Sequence, residues 1–385
     1  MQTPSKTTAV RILFATVLVS VLFLSSNTWQ LGHAYTTISP PTPVSRLSLE
    51  RGPMTALNVA SRIYVINLPH RTRRRLDMER LRYSLGLDFT YVDGTEADGE
   101  AVYKIMRHIA AFRALTSPRK TNKPPPPPFG WPQEVETLVE SESPLAMEGS
   151  DFWSSDTVDF PDPYAHEPLT CAYDNFTLEP YSPLTPPYRL LTKERLACWH
   201  SHWRVIRSIA DGHDDVCVVL EDDVDMELDI RQRLLGIWDS LPSAWDIVFL
   251  GTLSRMRTRN AMFDCYAGHC WSDESKKPAI ASYHSPNWNA AKFATSLHPS
   301  TSPKCTHAYA LSKAGARRLA VYLRYPPFAY SRAIDQAISW LVESGKLRSY
   351  SIVPSVVIQR KVDNSSIFGG RGSSWRDNLT RGVYT

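Results

Sequence analysis

A fully apolar run, Val216-Cys-Val-Val-Leu220, leads straight into Glu221-Asp-Asp-Val-Asp225. A strand with no polar side chain must be covered on both faces, which in soluble proteins means helices above and below a sheet. The surrounding pattern agrees. Arg62–Asn67, Phe89–Val92, Asp246–Leu250, Thr306–Leu311 and Tyr350–Val357 read as strands. Between them, Arg71–Leu85, Ala101–Leu115, Leu228–Leu241 and Ile334–Glu343 carry apolar residues at helical spacing. Thr192 is placed to cap a helix with Leu196, Trp199, Trp203 and Ile206 on one face, stopped by Gly212; Ser312 is placed to cap another reaching Tyr325. Gly86 closes the first of these helices. Strands alternating with helices predict an α/β sandwich around a largely parallel sheet, as one domain without internal repeats.

Two segments stand outside that pattern. Lys6 and Arg11 precede an apolar run from Ile12 to Leu24. This reads as a short tail (1–11) and a signal-anchor transmembrane helix (12–31), followed by a Pro/Ser/Thr-rich stem (32–59) and a body over 60–385. A cleaved signal peptide has the same basic start, and either reading puts the body in the secretory lumen. The sequons at Asn175, Asn364 and Asn378 agree with that compartment. The second segment, 117–190, is a Pro-rich irregular insertion. From Ser117 to Pro187 it holds 15 of the 29 prolines, and proline breaks long helices and central strands. Trp131, Phe152 and Trp153 are its candidate anchors.

Charge excludes one class of partner. A net +4 is too small for a nucleic-acid binder. From Pro124 to Tyr188 there are 12 acidic and no basic residues, which leaves the remainder basic and suited to an anionic small ligand. The six cysteines allow up to three bridges; Cys265 and Cys270 are spaced to close a small loop, and Cys217 reads as a buried free thiol. No CxxC pair occurs, which argues against a zinc ribbon.

The chemistry concentrates where the apolar strand ends. In open α/β sheets ligands bind beyond the carboxyl ends of strands. Extended geometry would put Glu221, Asp223 and Asp225 on one face and Asp222 on the other. Like charges about 4 Å apart repel by roughly 4 kcal/mol at an effective dielectric of 20, and a hard divalent cation removes that repulsion. The cluster therefore reads as half of a metal–diphosphate site. The basic helix start Asn67-Leu-Pro-His-Arg71-Thr-Arg-Arg74-Arg75 supplies amides and guanidinium groups suited to phosphate.

These blocks together resemble glycosyltransferase family 25, which includes lipooligosaccharide and procollagen galactosyltransferases and fungal relatives. The matching motifs are Val65-Ile-Asn-Leu68 through Arg71 and Arg74-Arg75, Leu191-Thr192 with Cys198-Trp-His-Ser-His202, Leu220-Glu-Asp-Asp-Val224 with Trp245 to Gly251, and Thr306-His-Ala-Tyr309 to Gly315-Ala316 with Asp335. The ending, with Gln359-Arg-Lys361 and Gly372-Ser-Ser-Trp375-Arg376, looks like the fungal members, which implies that it closes over the donor.

The resemblance implies a GT-A-type, Rossmann-like α/β/α fold. It also implies a UDP-sugar donor, Mn²⁺ (or Mg²⁺), inversion at the anomeric carbon, and a glycan or glycoprotein acceptor. It implies residence in the Golgi or endoplasmic reticulum membrane. By the same kinship Asp223 is the direct metal ligand, supported by Glu221 and Asp225, with Asp222 nearer the ribose. Asn67, Leu68, Arg71, Arg75 and Thr306 serve the donor. Asp335 is the base, ahead of His202. Arg195, Ala197 and Gln336 depart from the family pattern, which keeps open an inactive binding protein on the same scaffold.

Overall fold

The computed structural model describes residues 56–116, 129–141, 168–173, 176–251, 273–284, 294–360 and 379–384. The proposed anchor, Phe152, Trp153, Cys265, Cys270, the asparagines of the three sequons and Gly372–Arg376 lie outside these residues. Among the described residues no helix is long and apolar enough to cross a membrane.

The elements in chain order are β1 (Arg62–Asn67), α1 (Thr72–Leu85), β2 (Thr90–Asp93), α2 (Glu100–Thr116), α3 (Gln133–Glu140), α4 (Lys193–Asp211), β3 (Val216–Glu221), β4 (Val224–Met226), α5 (Ile230–Trp238), β5 (Ile247–Phe249), β6 (Ala281–Tyr283), β7 (Thr295–Pro299), β8 (Ala308–Ser312), α6 (Lys313–Arg324), α7 (Ile334–Glu343), β9 (Ser349–Val353) and β10 (Val357–Gln359). Eight strands form one sheet in the order β2-β1-β3-β8-β5-β9-β7-β6, and β10 pairs with β4 in a separate ribbon.

The sheet is more mixed than the sequence pattern predicts. Six strands run one way, but β8 opposes both β3 and β5, and β7 opposes β9 and β6. Strand direction is set by how the chain crosses back, which side-chain periodicity does not encode. β6 and β7 also fall between the expected strands Asp246–Leu250 and Thr306–Leu311, where the sequence pattern predicts none.

Alternation along β3 splits the core into two layers. Cys217 and Val219 join one cluster with α2, α4, α6 and α7; Val218 and Leu220 join the other with Met78 and Leu81 of α1 and Ile230, Leu234 and Ile237 of α5. All four β3 residues are fully buried. Burying each such aliphatic side chain contributes about 1.5–3 kcal/mol, which is why this strand fixes the middle of the molecule. The result is three layers, helices on both faces of the sheet.

The local signals act as read. Thr192 Oγ1 accepts from the Arg195 amide, Ser312 Oγ accepts from the Gly315 amide, and Gly86 adopts φ +57° at the end of α1. Two boundaries differ. Leu57, assigned to the stem, is completely buried, so the packed body already includes it. The Pro-rich insertion contains α3, whose eight residues include no proline, and Trp131 before it packs 4.5 Å from the Tyr322 ring.

Candidate active site

Strand register brings the site together. β1 lies parallel to β3 with Ile66 opposite Glu221, so the next residues out, Asn67 and Asp222, meet side by side. Asn67 Nδ2 donates to Asp222 Oδ2 at 2.8 Å. β8 runs antiparallel on the other side, with Leu220 opposite Ala308, which brings Thr306 and His307 alongside Glu221. The Glu221 amide donates to the His307 carbonyl at 2.9 Å, and Thr306 Oγ1 donates to Glu221 Oε1 at 3.0 Å. The β10–β4 ribbon sets Gln359 opposite Val224, and Gln359 Nε2 donates to both Asp223 carboxylate oxygens at 3.2 and 3.3 Å.

The four acidic residues do not alternate as a continuous strand would make them. β3 stops at Glu221 and Asp222-Asp223 form a turn, so both of those carboxylates face one cation. Arg74 Nη1 donates to Asp222 Oδ1 at 2.8 Å and to Asp223 Oδ2 at 2.9 Å. Glu221 turns to α4, where His202 Nε2 lies 3.4 Å from its Oε1. Asp225 is 1% exposed, and its carboxylate accepts from the backbone amides of Met226, Val383 and Tyr384. Its hydrogen bonds dock the chain's C-terminal segment, and none reaches the Asp222-Asp223 turn.

The basic helix start divides in the same way. Arg74 sits in the first turn of α1, and helical side chains lean toward the N-terminus, so it reaches the acidic turn. Arg75 is one step farther round, and its guanidinium lies over the Tyr91 ring at 3.0 Å from the centroid. Arg71 takes the N-cap of α1, and its amide donates to the Leu68 carbonyl at 2.8 Å. Leu68 packs against Gly94, whose Cβ, were there one, would lie 3.2 Å from Leu68 Cδ2. Arg74 falls in the basic helix start read as suited to phosphate, and Gln359 in the ending read as closing over the donor; Tyr309 is a site neighbour to which its sequence motif gives no role. The helical phase is the signal that turns Arg74 toward the acidic residues; nothing in the sequence pairs Gln359 with Asp223, 136 residues away.

Electrostatics identify where positive charge is lacking. Burial, the Glu221 carboxylate and the Asp222 carboxylate push the Asp223 carboxyl up to about 7, against the opposing pull of Arg74 and Gln359. Burial also acts to raise Glu221, but the hydrogen bond and charge of His202, with His307 and Thr306, hold it below the usual range. Burial and then the Glu221, Asp335 and Asp223 carboxylates raise the Cys198 thiol. Asp335 therefore lies within electrostatic reach of the same pocket, in the first turn of α7, where its Oδ1 accepts from the Gln336 amide at 2.8 Å. An all-oxygen pair left short of positive charge fits a hard divalent cation that brings its own waters or phosphate oxygens.

One departure from the family pattern proves structural. Arg195 is 4% exposed, and its Nη1 donates to the carbonyls of Tyr188 at 2.9 Å and Leu190 at 2.5 Å. It fastens the end of the insertion to α4.

Layered helices about a central sheet, with carboxylates at the tip of an all-buried strand, define an α/β protein with an acidic candidate site at that tip. Comparison with known proteins adds a likeness to glycosyltransferases. Residues 177–337 match the family described as glycosyltransferase family 25 (LPS biosynthesis protein). That span contains Cys198, His202, the Glu221–Asp225 tip, Thr306 and Asp335, and ends just after the start of α7. The chain is also 34% identical over 70 residues to procollagen galactosyltransferase 1-B of Xenopus laevis. That alignment covers 17% of this chain and 12% of the relative's length.

Proposed function

We propose that this chain is an inverting glycosyltransferase that moves a hexose, galactose by kinship, from a UDP-sugar to a hydroxyl of a glycan or glycoprotein. The reaction would take place in the lumen of the Golgi or endoplasmic reticulum, with the N-terminal apolar run as its membrane anchor. The observation that carries the reading is the paired carboxylate turn Asp222-Asp223, held by Asn67 and Arg74 and still short of positive charge.

In this reading Asp223, with Asp222 beside it, holds Mn²⁺ or Mg²⁺. The bound ion supplies neutralisation of the charge that develops on the departing diphosphate. Arg74 shares that work, because a guanidinium already poised at the carboxylates needs only a small shift to reach a phosphate oxygen. Asn67 fixes the orientation of Asp222, and Arg71 at the head of α1 faces the nucleotide with the helix dipole behind it. Glu221 is held by His202 and Thr306 and acts on the pocket's charge rather than as a ligand of this ion. Asp335 takes the proton of the acceptor hydroxyl as that oxygen bonds to the anomeric carbon and UDP leaves from the opposite face. His202 has the lesser claim to that role, since its ring nitrogens already face Tyr309 and Glu221.

The test is release of UDP from UDP-galactose, with UDP-glucose in parallel, in the presence of Mn²⁺. Release that Asp223→Asn abolishes supports the proposal. A folded protein that neither binds UDP with Mn²⁺ in calorimetry nor releases it would sink it.

A further inference from the structure

The face of α4 that meets the end of β3 carries a second set of donor atoms, chemically unlike the carboxylate turn. Cys198 and His202 are four residues apart on α4, so their side chains project from one face of the helix. Glu221 ends β3 against them. A Cys198 sulfur, a His202 ring nitrogen and a Glu221 carboxylate oxygen all lie within 4.8 Å of one another. His202 Nε2 and Glu221 Oε1 are 3.4 Å apart. Ligand atoms at about 2.0–2.3 Å from one tetrahedral ion stand roughly 3.3–3.6 Å from each other. The nitrogen–oxygen pair already has that spacing, and the sulfur needs to approach by roughly 1 Å at most.

The surroundings are those of a supported ligand set. His202 is 1% exposed, and its other nitrogen, Nδ1, lies 3.0 Å from the Tyr309 hydroxyl, itself fully buried. That contact fixes the ring so that Nε2 points at Glu221. Thr306 Oγ1 fixes the carboxylate from the opposite side at 3.0 Å. Metal-bound histidines and carboxylates are oriented through partners of this kind. Both partners come from the start of β8 or just before it, so one strand sets both orientations. Asp335 and Asp223 add negative charge around the sulfur, and a cation offsets it. Cys198 and Glu221 are each only partly exposed.

We propose that Cys198, His202 and Glu221 form a cation site distinct from the Asp222-Asp223 turn. It selects a borderline-soft divalent ion of the zinc class over the hard ions that oxygen-only sets prefer. Thiolate and imidazole donors give that selectivity, and three protein ligands leave a fourth position for a water or a ligand oxygen.

Cobalt(II) is the probe, because a cysteine thiolate on cobalt gives a near-ultraviolet charge-transfer band that carboxylate ligands do not. The purified protein is stripped with a chelator and titrated with Co²⁺. The expected result is a thiolate–cobalt band that Zn²⁺ displaces and Mn²⁺ at equal concentration does not. The band should vanish in Cys198→Ser and persist in Asp223→Asn, so that failure of the transferase reading and failure of this one are told apart. In Thr306→Val all three ligands remain and only the carboxylate's partner is lost; cobalt affinity should fall about 10- to 100-fold. Circular dichroism checks that each variant folds, and Thr306→Val decides should Cys198→Ser not do so. No thiolate band in the wild type, a band that survives Cys198→Ser, or unchanged affinity in Thr306→Val overturns the proposal.

Discussion

Replacing Asp223 with asparagine should make the cation-free protein more stable while it removes cation binding. The carboxyl is pushed from 3.8 to about 7 by burial and by the neighbouring carboxylates Glu221 and Asp222. That is roughly three units at about 1.4 kcal/mol each, so the ionised group opposes folding by at most about 4 kcal/mol. That figure is already net of the pull of Arg74 and Gln359; what asparagine loses besides is one acceptor oxygen, which returns about 1–2 kcal/mol. The net expectation is a gain of about 2 kcal/mol at pH 8 in the presence of a chelator. The sign follows from which state binds the proton more tightly. Because the folded carboxyl holds its proton to higher pH, the penalty is absent below 3.8, grows up to about 7, and is complete above it. The advantage of Asp223→Asn should therefore narrow as pH falls from 8 to 5, as read by urea denaturation of both proteins. Added Mn²⁺ and UDP should reverse the order. At 100-fold excess over Kd the wild type gains about 2.7 kcal/mol and the variant gains nothing. A variant less stable than the wild type at both pH values, with chelator present, would refute the reasoning, since Arg74 and Gln359 would then satisfy the carboxylate unaided.

Asp335→Asn should lower kcat by about 10²–10⁴-fold while leaving the donor KM near its wild-type value, measured as UDP release at saturating acceptor. A kcat close to wild type would move the base elsewhere. Gly251→Ala places a Cβ 2.0 Å from the Val357 carbonyl oxygen and 2.3 Å from His307 Nε2. The strain should cost about 1–3 kcal/mol in denaturation and displace β10, carrying Gln359 away from Asp223 and weakening Mn²⁺ binding. Unchanged stability would contradict the packing described.

What was legible in the sequence is what local chemistry decides. The apolar run of β3, the caps Thr192 and Ser312 and the stop at Gly86 each depend on residues within a few positions of themselves, and each acts as read. The elements missed depend on distant partners or were hidden by their surroundings. β7 is held by β9, some fifty residues away in sequence, so its five residues look like loop until the sheet is assembled. α3 was hidden because prolines were weighed over the whole insertion. Pro132 stands at its N-cap, where a missing amide hydrogen is harmless, and the helix itself is free of proline.

The acidic tip shows the same division at the scale of single side chains. Read alone, Glu221, Asp222, Asp223 and Asp225 are near-equivalent carboxylates, and a strand-like alternation sorts three of them toward one ion. Their partners sort them otherwise. Glu221 answers to α4 and the entry to β8, through His202 and Thr306. Asp222 answers to β1 and α1, through Asn67 and Arg74. Asp223 shares Arg74 but is otherwise held from β10, through Gln359. Asp225 answers to the C-terminal segment, through the amides of Val383 and Tyr384. Each carboxylate's role is thus set by a different tertiary contact. Of the four, only Asp222 and Asp223 share a single guanidinium, and the Asp223 carboxyl is raised by its neighbours; under the proposed function that combination makes the turn, rather than the whole acidic run, the place where a cation and a diphosphate would meet.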